Sequence, residues 1–383
     1  MSVTAARGFR AAGVTAGLKD SGKPDISLVV NDGPSAAAAA VFTSNRCKAH
    51  PVLWSEQAIK GGTARAIVLN SGGANCYTGP EGFAATHRTA ERVAELIGVG
   101  AIDVQVCSTG LIGRLLDEGK VLAGVDAAVE ALSPEGGHDA ATAIMTTDTV
   151  DKQATVSGDG WVVGGMAKGA GMLAPALATM LVVITTDADV DASTLDGALR
   201  AATSRTFDRL DSDGCQSTND TVLVMASGAS GVVPDAGEFT EALTKVCHDL
   251  ALQLLADAEG ADHEIAITTV SAASEADALE VGRSVARSNL FKTAIYGKDP
   301  NWGRILASVG TTSAQFDPLD LDVAVNDVWV CRGSGVGESI DLVDLEPRQV
   351  SVTIDLKAGD QSATIWTNDL THAYVHENSA YST

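Results

Sequence analysis

One threonine stands where the sequence changes abruptly from very small residues to a β-like run. Residues 164–178 are mostly glycine and alanine, and residues 179–186, which begin with Thr179, are apolar and rich in β-branched side chains. A threonine that starts a buried strand is usually structural, because β-branched residues suit strands. The glycine-rich loop before it also permits a chemical use, because such a loop can adopt the backbone angles that attack on a neighbouring carbonyl requires.

That chemical use begins with cleavage of the peptide bond between Ala178 and Thr179. The Thr179 hydroxyl would attack the preceding carbonyl in an N→O acyl shift, and hydrolysis would leave Thr179 with a free α-amino group. Such an amine has a reference pKa of about 7.7–8.0, so part of it is unprotonated near neutrality. It can then act as general base for its own hydroxyl without a histidine. The sequence therefore allows an N-terminal threonine nucleophile at position 179.

Three other sequence patterns are weaker indications of a functional site. Gly169, Gly171 and Ala174 fit G-x-G-x-x-A, but the β-like run that follows leaves no room for the crossover helix of a dinucleotide site. The acidic segment 208–214 lacks the glutamate that would complete a calcium loop. His372 and His376 are four residues apart, which could place both rings on one helical face, but without the HExxH order a solvated tail is the better interpretation. No metal site is expected, whereas a Ser-His-Asp triad stays open because only geometry identifies one.

Alternating apolar runs and amphipathic segments predict a mixed α/β chain (α/β, with α+β character). The glycine-rich loop has no linker-like composition, and the one domain boundary that the pattern indicates lies within 260–300. The predicted strands are 26–30, 66–70, 102–107, 179–186, 321–331, 350–356 and 363–366, and the predicted helices are 88–97, 120–132, 191–205, 239–255 and 274–289. The last three strands predict a mainly β C-terminal segment.

Composition limits the function classes. The 383 residues carry 26 Lys and Arg against 49 Asp and Glu, a net charge of −23, which disfavours nucleic acid and anionic membranes as partners. A hydrophobic content of 45% excludes disorder over the chain as a whole. Six cysteines without a CxxC pair predict reduced thiols and a cytoplasmic location, and neither a signal peptide nor an apolar run of membrane-spanning length is expected.

The sequence resembles the ornithine acetyltransferase family, also called glutamate N-acetyltransferases, over essentially its whole length. The segment around the junction carries the resemblance first, with Lys168, Gly169, Gly171, Pro175 and Thr179 in the family's order. Further matching segments are 41–45, 69–75, 108–113, 145–149, 211–220, 257–260, 299–304 and 377–383.

The resemblance implies a layered, self-processing body of the N-terminal-nucleophile type with a mainly β C-terminal domain. Cleavage before Thr179 would give an α chain (1–178) and a β chain (179–383), with a subdomain from about 280 to 383. Thr179 would accept the acetyl group of N2-acetylornithine as an ester and pass it to glutamate, in arginine biosynthesis. The resemblance also implies an α2β2 heterotetramer and no cofactor, and it leaves open whether acetyl-CoA is a second acetyl donor.

The resemblance further assigns roles to particular residues. The oxyanion positions are Thr109, through its hydroxyl, and Gly110, through its backbone N–H. The substrate-binding positions are Thr146, Lys168, Thr179, Glu259, Asn378 and Thr383, with Thr147 as the alternative to Thr146. A lysine can pair with a substrate carboxylate and a glutamate with a substrate ammonium group; without the resemblance, both side chains would be taken as solvated. Placing Asn378 and Thr383 in the site predicts an ordered C-terminus that folds back.

Two other functions remain open at this point. A related self-processing aminopeptidase or amidohydrolase would use water in place of glutamate as the acceptor. A non-catalytic binding protein would keep the bond between residues 178 and 179 intact.

Overall fold

The computed structural model describes residues 2–172 and 180–380, and these form two compact units. The first unit runs from the first described residue to 208 and includes 215–257. The second unit takes 209–214 and continues from 258 to the end of the described residues.

The described part of the first unit contains two β-sheets and helices on both sides of them. Its strands are β1 (Phe9–Val14), β2 (Ile26–Asn31), β3 (Ala38–Phe42), β4 (Ala66–Ser71), β5 (Val104–Thr109), β6 (Lys152–Ser157), β7 (Val162–Lys168), β8 (Leu181–Thr186) and β9 (Thr221–Ala226). Its helices are α1 (His50–Ala58), α2 (Gly79–Ile97), α3 (Glu118–Glu130), α4 (Gly137–Ala143), α5 (Ala192–Arg205) and α6 (Ala236–Ala256).

The two sheets of the first unit are both mixed. One has four strands in the order β1-β2-β4-β5, in which only the β4–β5 pair is parallel. The other has five strands in the order β3-β9-β8-β7-β6, in which only the β8–β9 pair is parallel. Strand β8 is therefore the central strand of its sheet, and all six of its residues are buried.

The apolar residues of these sheets form layers. One core lies between the sheets and joins residues of the four-stranded sheet, such as Ile67 and Cys107, to Met166 and Val183 of the five-stranded sheet. The opposite face of the four-stranded sheet packs on α2 and α3, and α5 and α6 pack on the five-stranded sheet. The order helix–sheet–sheet–helix explains why β2, β4 and β8 read as largely apolar runs, since all residues of these strands are buried.

The second unit is built on one six-stranded sheet, in the order β13-β12-β11-β14-β10-β15. Its strands are β10 (Glu264–Ala272), β11 (Asp322–Val325), β12 (Val328–Arg332), β13 (Gly335–Val336), β14 (Gln349–Asp355) and β15 (Gln361–Asn368). Its helices are α7 (Glu275–Ala286), α8 (Asn289–Tyr296), α9 (Trp302–Val309) and α10 (His372–Ala380). Helix α7 begins as predicted at Ser274, whose hydroxyl accepts a hydrogen bond from the Asp277 amide at 3.1 Å.

The predicted mixed α/β architecture with a sheet-based C-terminal segment is confirmed. One predicted strand is wrong in detail: residues 321–331 form a hairpin, not a single strand. Its turn is Asn326-Asp327, and both residues have positive φ angles, 44° and 64°. Two successive left-handed residues suit the tight turn of an antiparallel hairpin, and Asn and Asp tolerate that conformation better than most residues.

Candidate active site

The predicted oxyanion residues lie at the end of β5. Thr109 is its last residue, and the amides of Gly72 and Gly73 both donate hydrogen bonds of 3.0 Å to the Thr109 carbonyl oxygen. Gly110 follows with a φ of +128°, a conformation that only glycine adopts readily. A Cβ there would lie 2.6 Å from the Gly73 nitrogen, so the glycine also permits a close approach of two backbones.

The Gly110 amide is a candidate donor to a substrate. Among the residues that the structure describes, none accepts a hydrogen bond from it. The strand beneath it is held by side chains: Asn219 donates to the Ser108 carbonyl at 2.8 Å and to the Ala74 carbonyl at 2.7 Å, and Ser108 Oγ donates to Asn70 Oδ1 at 2.5 Å. A backbone donor fixed in this way can stabilise a negative charge without first reorganising.

Lys168 brings three of the predicted site residues together. It is the last residue of β7 and is 1% exposed. Its Nζ donates to Thr146 Oγ1 at 2.7 Å and to Thr109 Oγ1 at 3.4 Å. The hydroxyl that accepts the short hydrogen bond belongs to Thr146, so this geometry favours Thr146 over Thr147.

Asp148 organises this cluster, although no sequence pattern by itself marks it as a site residue. Its Oδ1 accepts from the Gly169 amide at 2.6 Å and pairs with Lys152 Nζ at 2.7 Å, and its Oδ2 accepts from the Thr146 amide at 3.0 Å. Asp148 Oδ2 is also 3.8 Å from Lys168 Nζ. Burial would raise the pKa of this carboxyl, but the charges of Lys168 and Lys152 and the hydrogen bonds hold it well below its usual range.

The buried charges of this cluster balance. Lys152 is fully buried and pairs with Asp257 Oδ2 at 2.6 Å as well as with Asp148. Two ammonium groups, Lys152 and Lys168, thus face two carboxylates, Asp148 and Asp257. Since isolated buried charges are costly, this pairing is what allows two lysines to lie inside the unit. Asp148 lies within the family-like segment 145–149, two residues after Thr146, and this position is the sequence signal that could have identified it as a site residue.

A third ammonium group, that of Lys19, contributes to the electrostatics of this region. Lys19 donates to the Pro24 carbonyl at 2.7 Å and to the Ala143 carbonyl at 3.5 Å. Burial and, to a smaller extent, the positive charge of Lys168 lower the pKa of Lys19 to about 8, against the raising effect of Asp25. Lys19 and Lys168 are close enough to interact electrostatically, and positive groups of this kind suit an anionic ligand such as a carboxylate.

The predicted nucleophile and cleavage bond, Thr179 and Ala178, lie outside the described residues, as does Thr383. The described chain resumes at Met180, whose amide donates to Asp220 Oδ1 at 2.9 Å. The next residue, Leu181, is paired in the sheet with Lys168 on one side and with Thr221 on the other. Position 179 is therefore two residues along the chain from the direct partner of Lys168.

Glu259 and Asn378 belong to the second unit. Glu259 is buried, and the neighbouring Gly260 approaches the start of α10 so closely that a Cβ there would lie 2.2 Å from the Tyr374 nitrogen. Asn378 lies on α10, where its Nδ2 donates to the Tyr374 carbonyl at 3.0 Å. The loop that carries Glu259 is thus packed against the helix that carries Asn378.

Other classes of site receive no support. Within residues 2–172 and 180–380, no group of three or more His, Cys, Asp and Glu side chains could hold a metal ion. His372 and His376 are both exposed on α10. In the same part of the chain, no helix combines the length and the apolar character that crossing a membrane would require.

The fold and the cluster define a mixed α/β protein with a fixed backbone donor, a hydroxyl and a buried ammonium group at neighbouring strand ends. Comparison with known proteins agrees with this class. The model of the ArgJ family matches residues 10–383, and the chain belongs to that family.

Individual relatives are similar over their full length. The arginine biosynthesis bifunctional protein ArgJ of Streptomyces coelicolor is 63% identical over 382 residues, which cover 100% of both chains. A solved structure of the argJ protein from Bacillus halodurans is 37% identical, with a TM-score of 0.50, and covers 52% of this chain and 98% of that chain. The Mycobacterium tuberculosis ornithine acetyltransferase, solved with ornithine, is 58% identical, with a TM-score of 0.45, and covers 45% of this chain and 94% of that chain.

Proposed function

We propose that this chain is an ornithine acetyltransferase of arginine biosynthesis that works through an acetyl ester on Thr179. Membership of the ArgJ family supports the reaction class. The observation that carries the assignment of roles is the cluster around Lys168, which joins Thr109 and Thr146 directly beside the strand that follows position 179.

The first half-reaction forms the ester. The α-amino group of Thr179 takes the hydroxyl proton as Oγ attacks the acetyl carbonyl of N2-acetylornithine, and the carbonyl oxygen becomes negatively charged. The Gly110 amide and the Thr109 hydroxyl donate hydrogen bonds to that oxygen. When the intermediate collapses, the C–N bond breaks, the proton passes to the leaving nitrogen, and ornithine departs.

The second half-reaction repeats these steps with glutamate. Its α-amino group attacks the ester carbonyl, the same two donors stabilise the oxyanion, and Thr179 Oγ leaves and recovers a proton. Lys168 has two uses in this scheme. Its charge attracts a substrate carboxylate, and its hydrogen bond to Thr109 Oγ1 occupies a lone pair, which turns the Thr109 hydroxyl hydrogen towards another acceptor.

The remaining assignments are part of the same proposal. Thr146, Glu259, Asn378 and Thr383 contact the amino-acid parts of the substrates, with Glu259 as partner of a substrate ammonium group. Residues 1–178 and 179–383 form the two mature chains, with a C-terminal subdomain from about 280, and assemble as an α2β2 heterotetramer. The enzyme acts in the cytoplasm and needs no cofactor, and acetyl-CoA is the candidate for a second acetyl donor.

The first experiment is the intact mass and a denaturing gel of the purified protein. We expect two chains, 1–178 and 179–383, with threonine at the new N-terminus. Thr179→Ala should stay uncut and inactive. Thr186→Ala is the matched control, because Thr186 is a threonine at the far end of β8, and its hydroxyl donates a hydrogen bond to the Val162 carbonyl at 2.8 Å. An uncut wild-type chain with full activity would refute the proposed nucleophile.

The second experiment measures ornithine release from N2-acetylornithine with and without glutamate. A transferase should release ornithine continuously only when glutamate is present and should give one acetylglutamate for each ornithine. Release at the same rate without glutamate would identify a hydrolase instead. Substituting acetyl-CoA for acetylornithine tests the second donor in the same assay.

A further inference from the structure

A buried carboxyl lies beside the junction, and none of the roles above uses it. Asp220 immediately precedes β9 and is fully buried. Its Oδ1 accepts the hydrogen bond from the Met180 amide at 2.9 Å. The backbone around it is also fixed, because the Thr43 amide donates to the Asp220 carbonyl at 3.0 Å and the Thr221 amide donates to the Met180 carbonyl at 3.3 Å.

Covalent geometry ties this contact to position 179. The Met180 nitrogen is bonded to the carbonyl carbon of residue 179, so the α-nitrogen and Oγ of that residue lie within about 5 Å of it whatever their torsion angles. A group that fixes the Met180 amide thus restricts the peptide plane from which both reacting atoms of a threonine nucleophile extend. Asp220 is the side chain that fixes this amide.

The second carboxyl oxygen of Asp220 lies in an environment that disfavours a negative charge. Asp220 Oδ2 is buried and makes no hydrogen bond of ordinary geometry with a described residue. Burial raises the pKa of Asp220 well above its usual range, although the Met180 amide, the charge of Lys168 and the nearby Ser217 all lower it. A buried carboxyl oxygen without a partner disfavours the charged carboxylate relative to the uncharged acid, and an uncharged acid does not raise the pKa of an amine close by, as a carboxylate would.

We propose that Asp220 is the positioning residue of the threonine nucleophile, holding the Met180 amide so that residue 179 is aligned both for self-cleavage and for acetyl transfer. This inference rests on the proposed function. It predicts that the hydrogen-bond acceptor at Oδ1 matters and that the negative charge does not. Asparagine keeps such an acceptor and has no charge, whereas alanine removes the acceptor.

The test compares Asp220→Ala and Asp220→Asn with a matched pair at Asp187. Asp187 is also buried and directly follows the other end of β8, about 23 Å away along the strand, where its Oδ1 accepts from the Val162 amide at 2.9 Å. The measurements are the rate of appearance of the 179–383 chain, by intact mass, and kcat and KM for acetyl transfer, per folded and cleaved protein.

We expect Asp220→Ala to slow both cleavage and kcat by about 10²-fold with KM within about threefold, since small misplacements of reacting groups have effects of this size. Asp220→Asn should keep both within about threefold of wild type, and Asp187→Ala should lower the melting temperature without lowering kcat. A kcat for Asp220→Ala that equals wild type overturns the proposal. So does an equal loss in Asp187→Ala.

The asparagine variant keeps the proposal testable if the alanine variant does not fold, because a hundredfold loss in Asp220→Asn also overturns it. Failure of the proposed function is seen separately, in wild type alone, as an uncut chain or as no transfer to glutamate. The Asp220 inference is judged by the ratio of each variant to wild type, and the cleavage measurement needs no substrate.

Discussion

Replacing Gly110 by alanine should remove most of the acetyl transfer and leave a folded protein. The added Cβ would lie 2.6 Å from the Gly73 nitrogen, 2.9 Å from the Gly72 carbonyl carbon and 3.1 Å from the Gly73 Cα. All three are backbone atoms that cannot rotate away, so restoring contacts of 3.0–3.4 Å displaces Gly110 by about 0.4–0.8 Å. The displaced group is the proposed oxyanion donor itself.

The expected loss follows from that displacement. Removing an oxyanion donor lowers kcat by about 10²–10³-fold, and a misplacement near 1 Å has an effect of about 10²-fold, so we expect kcat to fall about 10²-fold. The positive φ of +128° adds strain of about 1–3 kcal/mol for alanine, which should lower the free energy of unfolding. Loss of the donor acts on the transition state, so KM for acetylornithine should change little.

Gly113→Ala is the matched control. Gly113 lies three residues further along the same loop with a φ of +78°, and a Cβ there meets nothing within 4 Å. It should cost about 1 kcal/mol of stability and leave kcat within about threefold. The assay is the initial rate of acetyl transfer at saturating glutamate, divided by the amount of folded, cleaved protein. A Gly110→Ala enzyme with wild-type kcat would refute the role of this backbone donor.

Two further predictions concern buried carboxyls. Asp148→Asn leaves Lys152 and Lys168 with one carboxylate fewer, so urea unfolding at pH 7 should show that the free energy of unfolding falls by about 3–5 kcal/mol. Asp187→Asn is the control, and it should lose only about 1 kcal/mol because its partner Arg7 is mostly exposed. Equal losses in the two variants would contradict the proposed balance of buried charges. Burial, opposed by Arg287, raises the pKa of Asp211 to about 6. Between about pH 4 and 6 the native state therefore binds more protons than the unfolded chain, so the protein loses stability as pH rises through that range. The stability of Asp211→Asn relative to wild type should therefore rise by about 2 kcal/mol from pH 4 to 7, and a constant difference in urea unfolding would contradict it.

Sequence patterns predicted the helices and strands of this fold better than they predicted which strands pair with one another. The runs 26–30 and 66–70 are strands, and Asp191 and Ser274 cap the helices that follow them, because local propensity and capping act over a few residues. The hairpin at 321–331 was predicted as one strand, since Asn326 and Asp327 interrupt an otherwise uniform run for only two residues. Which strands pair, and in which of the three sheets, depends on contacts distant in sequence.

In the candidate site, too, the sequence predicted local positions but not the contacts between residues distant in sequence. Thr109 and Gly110 were placed at a strand end by the apolar run before them, but their assignment as oxyanion donors needed the family resemblance. Lys168 would be taken from sequence as a solvated loop lysine, and the structure buries it. Asp148 and Asp220 were not selected, because a buried carboxylate is recognisable only from the groups that fold around it, and those come from as far away as Met180 and Lys168.

The position of the proposed cut within the sheet explains how one chain could become two without losing its fold. Cleavage before residue 179 would cut the covalent connection between β7 and β8. These two strands are adjacent in the sheet and form six residue pairs, from Val163–Thr186 to Lys168–Leu181. Hydrogen bonds between the two strands hold these residue pairs together, and they do not depend on the connecting loop. Strand β8 is also held by β9 on its other side, and the new N-terminus would be two residues along the chain from the first residue of this central strand. The cut thus frees an amine while the strands that position Lys168 and Asp220 stay paired.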